Sequence, residues 1–148
     1  MIRRSLVLAG ALMALSTAPA SAGIIVGGHD TTTSKWPYAV HIDGLAYGCT
    51  GSLIAPDWVL TAGHCVAATL PPGPVFPAVH ITATVGSDEP YSGQGQSAMG
   101  LLGYAHPNYG VGHPYDVALI QLASPLDGVP TVKVVGAGDG ALWAPNTS

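Results

Sequence analysis

The sequence predicts an all-β domain, and three observations support that prediction. Twenty glycines and thirteen prolines interrupt the 148 residues too often for long helices, and they favour short strands joined by tight turns. Residues 79–85, VHITATV, alternate apolar and polar side chains with the period of a half-buried strand. Residues 116–122, DVALIQL, are apolar on both faces, as in a strand covered on both sides. Since 48% of residues are hydrophobic and 8% charged, we expect one core and one domain.

The predicted domain follows an N-terminal targeting segment. Two arginines near the start precede an apolar run over residues 6–15, and residues 20–22, Ala-Ser-Ala, form a small-x-small cleavage pattern. The run is too short to span a bilayer. We therefore expect residues 1–22 to be a secretory signal peptide and residues 23–148 to be the secreted mature chain. An uncleaved membrane anchor is the alternative.

The charge of the mature chain disfavours two classes of partner. Cleavage after residue 22 leaves Lys35 and Lys133 against eight Asp and Glu residues, a net charge of −6. No basic patch remains to neutralise phosphates or anionic headgroups. We therefore expect no nucleic-acid partner, and no membrane association after signal cleavage.

Within the domain, two apolar runs form a predicted strand, turn and strand. These are residues 47–54, YGCTGSLI, and residues 57–62, DWVLTA, with Ala-Pro between them. Residues 69–78, TLPPGPVFPA, hold too many prolines for a central strand and predict a surface loop. Residues 86–97 predict a polar, glycine-rich connection. His80 alternates with threonines in its strand, so we expect it at the surface.

The two cysteines of the chain, Cys49 and Cys65, predict a disulfide because an exported protein folds in an oxidising compartment. The alternative is a metal site that combines them with His64. Adjacent His and Cys side chains do not readily face one ion, and no Cys-x-x-Cys pair completes the ligand set. We expect no metal. We also expect no nucleotide cofactor, because the G-x-G-x-x-A spacing at residues 93–98 has no helix pattern after it.

Three motifs occur in a fixed order along the chain. They are IIVGG at residues 24–28, CTGSLIAPDWVLTAGHC at residues 49–65 and DVALIQL at residues 116–122. Together they resemble the trypsin and chymotrypsin family of serine proteases, and the resemblance extends from residue 25 to about residue 145. It implies a fold of two antiparallel β-barrels with the catalytic residues between them. This chain would form the first of the two, an antiparallel Greek-key β-barrel.

The resemblance also implies roles for individual residues. His64 in TAGHC matches the general base, and Asp116, which by itself reads as a turn residue, matches the carboxylate that orients the base. Cys49 and Cys65 match the disulfide that holds the histidine loop. Ile25 matches the family's mature N-terminus. A serine hydroxyl becomes a good nucleophile when an oriented imidazole can take its proton, which is why this chemistry needs a histidine and a carboxylate together.

The family's nucleophile lies in a GDSGGP motif of the second barrel, and the 148 residues hold no such motif. Ser97 lacks the second glycine of G-x-S-x-G because Met99 stands there, and Ser52 matches a structural strand position. The resemblance therefore implies the N-terminal part of a secreted trypsin-like endopeptidase, without nucleophile or oxyanion hole and inactive alone. Its substrate would be a polypeptide, cleaved once a second barrel completes the site.

An alternative function belongs to another class of protein. A single barrel that has lost catalysis could serve as a secreted binding module. The presence of both His64 and Asp116 favours the peptidase, because a binding module has no chemical use for the pair. In either case we expect an isolated first barrel to expose an apolar face, through which it can self-associate.

Overall fold

The computed structural model describes residues 28–44, 48–67, 75–89, 91–110 and 115–139. The chain divides into two compact units, residues 1–30 and 31–148. In the first unit, residues 28–30 are exposed and have no regular secondary structure. The signal peptide predicted over residues 1–22 and the predicted N-terminal Ile25 lie outside the described residues.

In the described part of the second unit, nearly all regular secondary structure is β-strand. Its elements are β1 (Ala39–Asp43), β2 (Cys49–Ala55), β3 (Trp58–Thr61), α1 (Gly63–Ala67), β4 (Val75–Pro77), β5 (Thr82–Val85), β6 (Gln96–Ala105) and β7 (Ala118–Leu122). Among the described residues, no helix is long and apolar enough to cross a membrane.

All pairings between these strands are antiparallel, and they run in the order β4-β6-β5-β1-β2-β3-β7. An additional pairing of β6 with β7 closes six of the strands, all except β4, into a barrel. Four neighbouring strands lie in the order β5-β1-β2-β3. The strand that comes last in the chain, β5, therefore lies beside the one that comes first, β1, and this arrangement is a Greek key. The predicted all-β, antiparallel Greek-key barrel is confirmed.

The barrel interior is filled by one face of each strand. On β7, Ala118, Ile120 and Leu122 are buried, while Leu119 is half-buried on the outer face and Val117, before the strand, is exposed. Burial of alternate residues follows from the period of two in a strand. The core cluster consists of Val40, Ile42, Leu53, Val59, Val66, Ala78, Ile81, Ala83, Val85, Ala98, Ala105, Ala118, Ile120, Leu122 and Leu126.

The strand predicted over residues 79–85 is shorter than its sequence pattern. Strand β5 begins at Thr82, because Ile81 N donates a hydrogen bond to Ala78 O at 2.9 Å and so forms a turn over the first residues. Val79, predicted on the apolar face, is 56% exposed on that turn. His80 is at the surface as predicted, although it lies in the turn and not in the strand.

The prediction of a surface loop over residues 69–78 is wrong in part. Residues 75–77 form strand β4, which pairs with β6, while residues 69–74 lie outside the described residues. Proline lacks the N–H that a central strand must donate, but an edge strand bonds to one neighbour only. Pro77 is tolerated because β4 has β6 as its only paired neighbour among the described strands.

A disulfide joins Cys49, at the start of β2, to Cys65 in α1, as predicted. The three side chains of the alternative metal site each place one ligand atom within 4.8 Å of the other two. However, the two sulfurs are bonded to each other and are not free thiolate ligands. The bond joins two residues that are 16 positions apart in sequence. In the chain-entropy treatment, a loop of that length contributes about 3 kcal/mol by restricting the unfolded chain.

Replacement of both cysteines, Cys49→Ala with Cys65→Ala, is expected to lower the free energy of unfolding by about 2–4 kcal/mol. Urea unfolding followed by circular dichroism measures the change. Thr50→Ala, an exposed neighbour on β2, is the matched control and should leave the midpoint nearly unchanged. An unchanged midpoint in the double variant would show that the bond contributes no stability.

Candidate functional site

The histidine of the predicted site lies on the short helix that follows β3. The next two residues, Cys65 and Val66, are 4% and 0% exposed, so they anchor the helix against the barrel. At the end of β3, the Thr61 hydroxyl donates to the Thr50 carbonyl oxygen at 2.8 Å and ties the strand to β2. The His64 side chain is 58% exposed. Firm attachment of its backbone and exposure of its ring leave the imidazole open to a reactant.

The aspartate of the predicted site lies two residues before β7 and reaches the same helix. Asp116 Oδ1 accepts a hydrogen bond from His64 N at 2.8 Å, and Asp116 Oδ2 lies 2.8 Å from His64 Nδ1. One carboxylate therefore holds both the backbone and the ring of a residue 52 positions away in sequence. The structure brings together the two residues that the sequence singled out.

This geometry determines which ring nitrogen can act as a base. A carboxylate accepts hydrogen bonds, so Nδ1 of His64 carries the proton that it donates to Asp116. The lone pair of the neutral ring then lies on Nε2. This nitrogen is 3.5 Å from Cys65 Sγ, beside the disulfide. The arrangement can take up a proton at Nε2, and the carboxylate stabilises the imidazolium that results.

Two further residues complete the surroundings of the pair, and the sequence analysis missed both. A Cβ atom on Gly63 would lie 2.8 Å from Tyr109 Cδ2 and 3.1 Å from Asp116 Oδ1. Glycine therefore allows the ring and the carboxylate to approach the start of α1 closely. The position of Gly63 inside TAGHC was a usable signal, whereas nothing in the pattern around Tyr109 distinguished it.

Tyr109 is electrostatically linked to the aspartate. Desolvation by burial raises the pKa of its hydroxyl above the ordinary value of 10.0, and the negative charge of Asp116 raises that pKa further. Both causes favour the neutral phenol. The tyrosine therefore stays uncharged beside the carboxylate over the physiological range.

The serines considered in the sequence lie elsewhere. Ser97 is exposed on β6 and its hydroxyl lies 2.9 Å from the Thr84 hydroxyl, while Ser52 is part of β2. Within the described ranges, no hydrogen bond joins a serine hydroxyl to His64.

An antiparallel Greek-key barrel that carries an aspartate-bound histidine at one end defines the class of this protein as a trypsin-like serine protease domain. The family model described as Trypsin matches residues 25–148. The chain belongs to the trypsin family.

Individual relatives agree with the family match. A trypsin of Simulium vittatum is 35% identical over 126 residues, which cover 78% of this chain and 47% of the relative. Trypsin 5G1 of Aedes aegypti is 34% identical over 69% of this chain and 36% of its own length. The submandibular glandular kallikrein-9 of Rattus norvegicus is 28% identical over 88% of this chain and 51% of its own length. The chain thus spans about half or less of the length of these relatives.

Asp116→Asn is expected to lower the pKa of the Tyr109 hydroxyl, because it removes the carboxylate charge that disfavours the phenolate. The pKa should remain above 10.0, since desolvation is the larger cause and persists. Tyrosine ¹³Cζ shifts followed by NMR over a pH titration measure the change. The raised pKa also predicts that the contribution of Tyr109 to stability is complete below about pH 10 and is lost as the pH rises through its folded pKa.

The control is Asp57→Asn, which neutralises a carboxyl in the turn between β2 and β3. That turn is at the opposite end of β3 from α1, so the Tyr109 titration should not move. A Tyr109 pKa that is the same in wild type and Asp116→Asn would show that the two groups are not coupled.

Proposed function

We propose that residues 23–148 form the first barrel of a secreted serine endopeptidase, in which His64 is the general base and Asp116 orients it. The observation that carries the proposal is the double attachment of His64 to one carboxylate, through the backbone N–H and through Nδ1. Packing of the hydrophobic core does not require that an exposed imidazole ring be held in this way. Proton transfer does, because the ring must keep one tautomer and point its basic nitrogen in one direction.

In the proposed reaction, Nε2 of His64 takes the proton of a serine hydroxyl while the serine oxygen bonds to the carbonyl carbon of a substrate peptide. The imidazolium then gives that proton to the leaving amine as the carbon–nitrogen bond breaks. Water repeats the sequence to release the acyl group. Asp116 stays ionised throughout and stabilises the positive ring. The serine and the donors for the oxyanion come from polypeptide outside these 148 residues.

The length of the relatives supports the proposal that the serine and the oxyanion donors lie outside these 148 residues. The matched region covers 47% of the Simulium trypsin, so more than half of that protein lies outside the match. We propose that a second barrel, covalently continuous with this chain or supplied by another, completes the site. The substrate would be a polypeptide. Its side-chain specificity would be set by the second barrel.

An apolar depression on the outside of the barrel is a candidate contact for that second part. It has a volume of about 330 Å³ and lies between β3, β6 and β7. Its lining includes Leu60, Tyr104 and Leu119, which are half-buried, and Val117, which is exposed. We propose that this face is covered in the completed protein. In the isolated chain it would drive self-association.

Export is the remaining part of the proposal. The disulfide between Cys49 and Cys65 is typical of proteins that fold outside the reducing cytosol. It supports the assignment of residues 1–22 as a signal peptide and an extracellular site of action. The alternative of a binding module without catalysis leaves the paired hydrogen bonds of His64 unexplained.

A second barrel supplied in trans is expected to create peptidase activity that the chain lacks by itself. The C-terminal part of the Simulium trypsin is a suitable complement. Hydrolysis of a peptide substrate and labelling by a fluorophosphonate serine probe are the measurements. In the complemented protein, Asp116→Asn should reduce kcat by about 10⁴-fold, the loss that an amide at the orienting position causes in serine proteases. His64→Ala removes the base itself and should reduce kcat by about 10⁶-fold.

His80→Ala is the matched control, because it removes an exposed histidine outside the site and should leave kcat unchanged. Stoichiometric labelling of a serine in the chain alone, abolished by His64→Ala, would contradict the proposal. A complemented protein whose activity survives His64→Ala would contradict it as well.

The isolated chain is expected to self-associate at micromolar concentration, since apolar contact is not screened by salt whereas the repulsion of its net charge is. Analytical ultracentrifugation and fluorescence of a hydrophobic dye measure this. Leu119→Lys should shift the chain toward monomer, and Val134→Lys, at an exposed valine outside the depression, should not. A dye-silent wild-type monomer would favour the binding module.

A further inference from the structure

The residue immediately before Asp116 has an unusual backbone. Tyr115 has φ of 63°, and it is the only described residue other than glycine with a positive φ. L-residues with a Cβ avoid this left-handed region because the Cβ crowds the backbone. Such a conformation persists where the surroundings hold it, and it often occurs beside functional groups.

An aromatic contact holds the tyrosine. Its ring stacks on that of His106, with 4.7 Å between ring centroids and 12° between planes. The His106 ring is itself oriented, because Asn108 N donates to His106 Nδ1 at 3.1 Å. The backbone beneath it is also bonded, since Tyr109 N donates to His106 O at 2.9 Å. The stack therefore links Tyr115 to a turn with internal support.

The same turn is connected to the residue after Asp116. His106 N donates to Val117 O at 2.9 Å, and Val117 N donates to Tyr115 O at 2.8 Å. The second bond spans two residues and makes a tight turn centred on Asp116. Both neighbours of the aspartate are thus attached to His106, one through its backbone and one through its ring. The direction of the Asp116 side chain follows from this turn.

Burial does not explain the tyrosine. Its residue is 57% exposed, so it contributes little to the core. Within the part of the chain that the structure describes, its ring contact is with His106. Tyr115 adopts an unfavourable backbone conformation without filling the core. That conformation is better explained by the neighbouring residue that it positions.

We propose that Tyr115, held in the left-handed region by its stack on His106, is a positioning residue that directs the Asp116 carboxylate at His64. The inference rests on the proposed role of the His64–Asp116 pair, and it adds two residues that act through the carboxylate. Neither touches a reacting atom. Loss of the stack would let Tyr115 return to an ordinary conformation and swing the carboxylate away from Nδ1.

The test measures the tautomer of His64 in the full ¹⁵N-labelled chain by long-range ¹H–¹⁵N NMR, at alkaline pH where histidine rings are neutral. Tyr115→Ala should lower the ratio of Nδ1-protonated to Nε2-protonated ring by about fivefold to thirtyfold, the factor that corresponds to the penalty of a left-handed L-residue. Tyr115→Phe retains the stack and should keep the wild-type ratio. A role in stability alone would change the folded fraction but not the tautomer of folded molecules.

Tyr91→Ala is the matched control, because Tyr91 is also an exposed tyrosine whose ring contacts a histidine, His41. It should leave the His64 ratio unchanged. A wild-type ratio in Tyr115→Ala would overturn the proposal. So would an equal fall in Tyr115→Phe, because the stack would then not be the cause.

If Tyr115→Ala does not fold, substitutions at His106 test the same positioning role. His106→Ala removes the stack from the other side and should lower the ratio similarly, whereas His106→Phe should restore it. An unchanged ratio in His106→Ala would overturn the proposal. Because the readout is a tautomer and not turnover, it separates this proposal from the proposed peptidase function, which is tested by turnover and by labelling with the serine probe.

Discussion

The antiparallel pairing of β3 with β7 is the constraint on which the site depends. Thr61, the last residue of β3, is paired with Ala118, the first residue of β7. The chain that leaves β3 and the chain that enters β7 therefore meet at the same end of the barrel. His64 follows one strand by three residues and Asp116 precedes the other by two, so two hydrogen bonds can join them. A slip of one residue in this register would turn the buried face of β7 outward.

The barrel makes that register unique by closure. Strand β7 is paired with β3 on one side and with β6 on the other, so its position is determined from both edges. Two residues of β7 that face the interior differ in size. Ile120 is large and fully buried, and Ala118, near the site, is small. The register of β6 with β7 shifts between Gly100 and Leu102, and a bulge at such a shift lets a strand bend. Closed packing thus positions a pair that is itself exposed.

The site combines rigid attachment with access to solvent. The helix carrying His64 is anchored by the disulfide at Cys65 and by the buried Val66, while the imidazole is 58% exposed. A bulky residue at position 63 would force the carboxylate and Tyr109 away. A half-open site of this kind leaves the imidazole accessible to a second group, as the proposed function requires. The matched region covers 47%, 36% and 51% of the three relatives, so each of them extends well beyond it.

Local features of the sequence determined the all-β class, the strands around residues 49–61 and 118–122 and the pairing of the two cysteines, whereas the choice of His64 and Asp116 came from the resemblance that three motifs carry. These depend on periodicity, on composition and on motifs that are contiguous in the chain. The tertiary structure alone decided the edge strand at residues 75–77, the exposure of Val79, the approach of Tyr109 to the start of α1 and the conformation of Tyr115. Each of these depends on which distant segment lies alongside, and a local pattern carries no information about that neighbour.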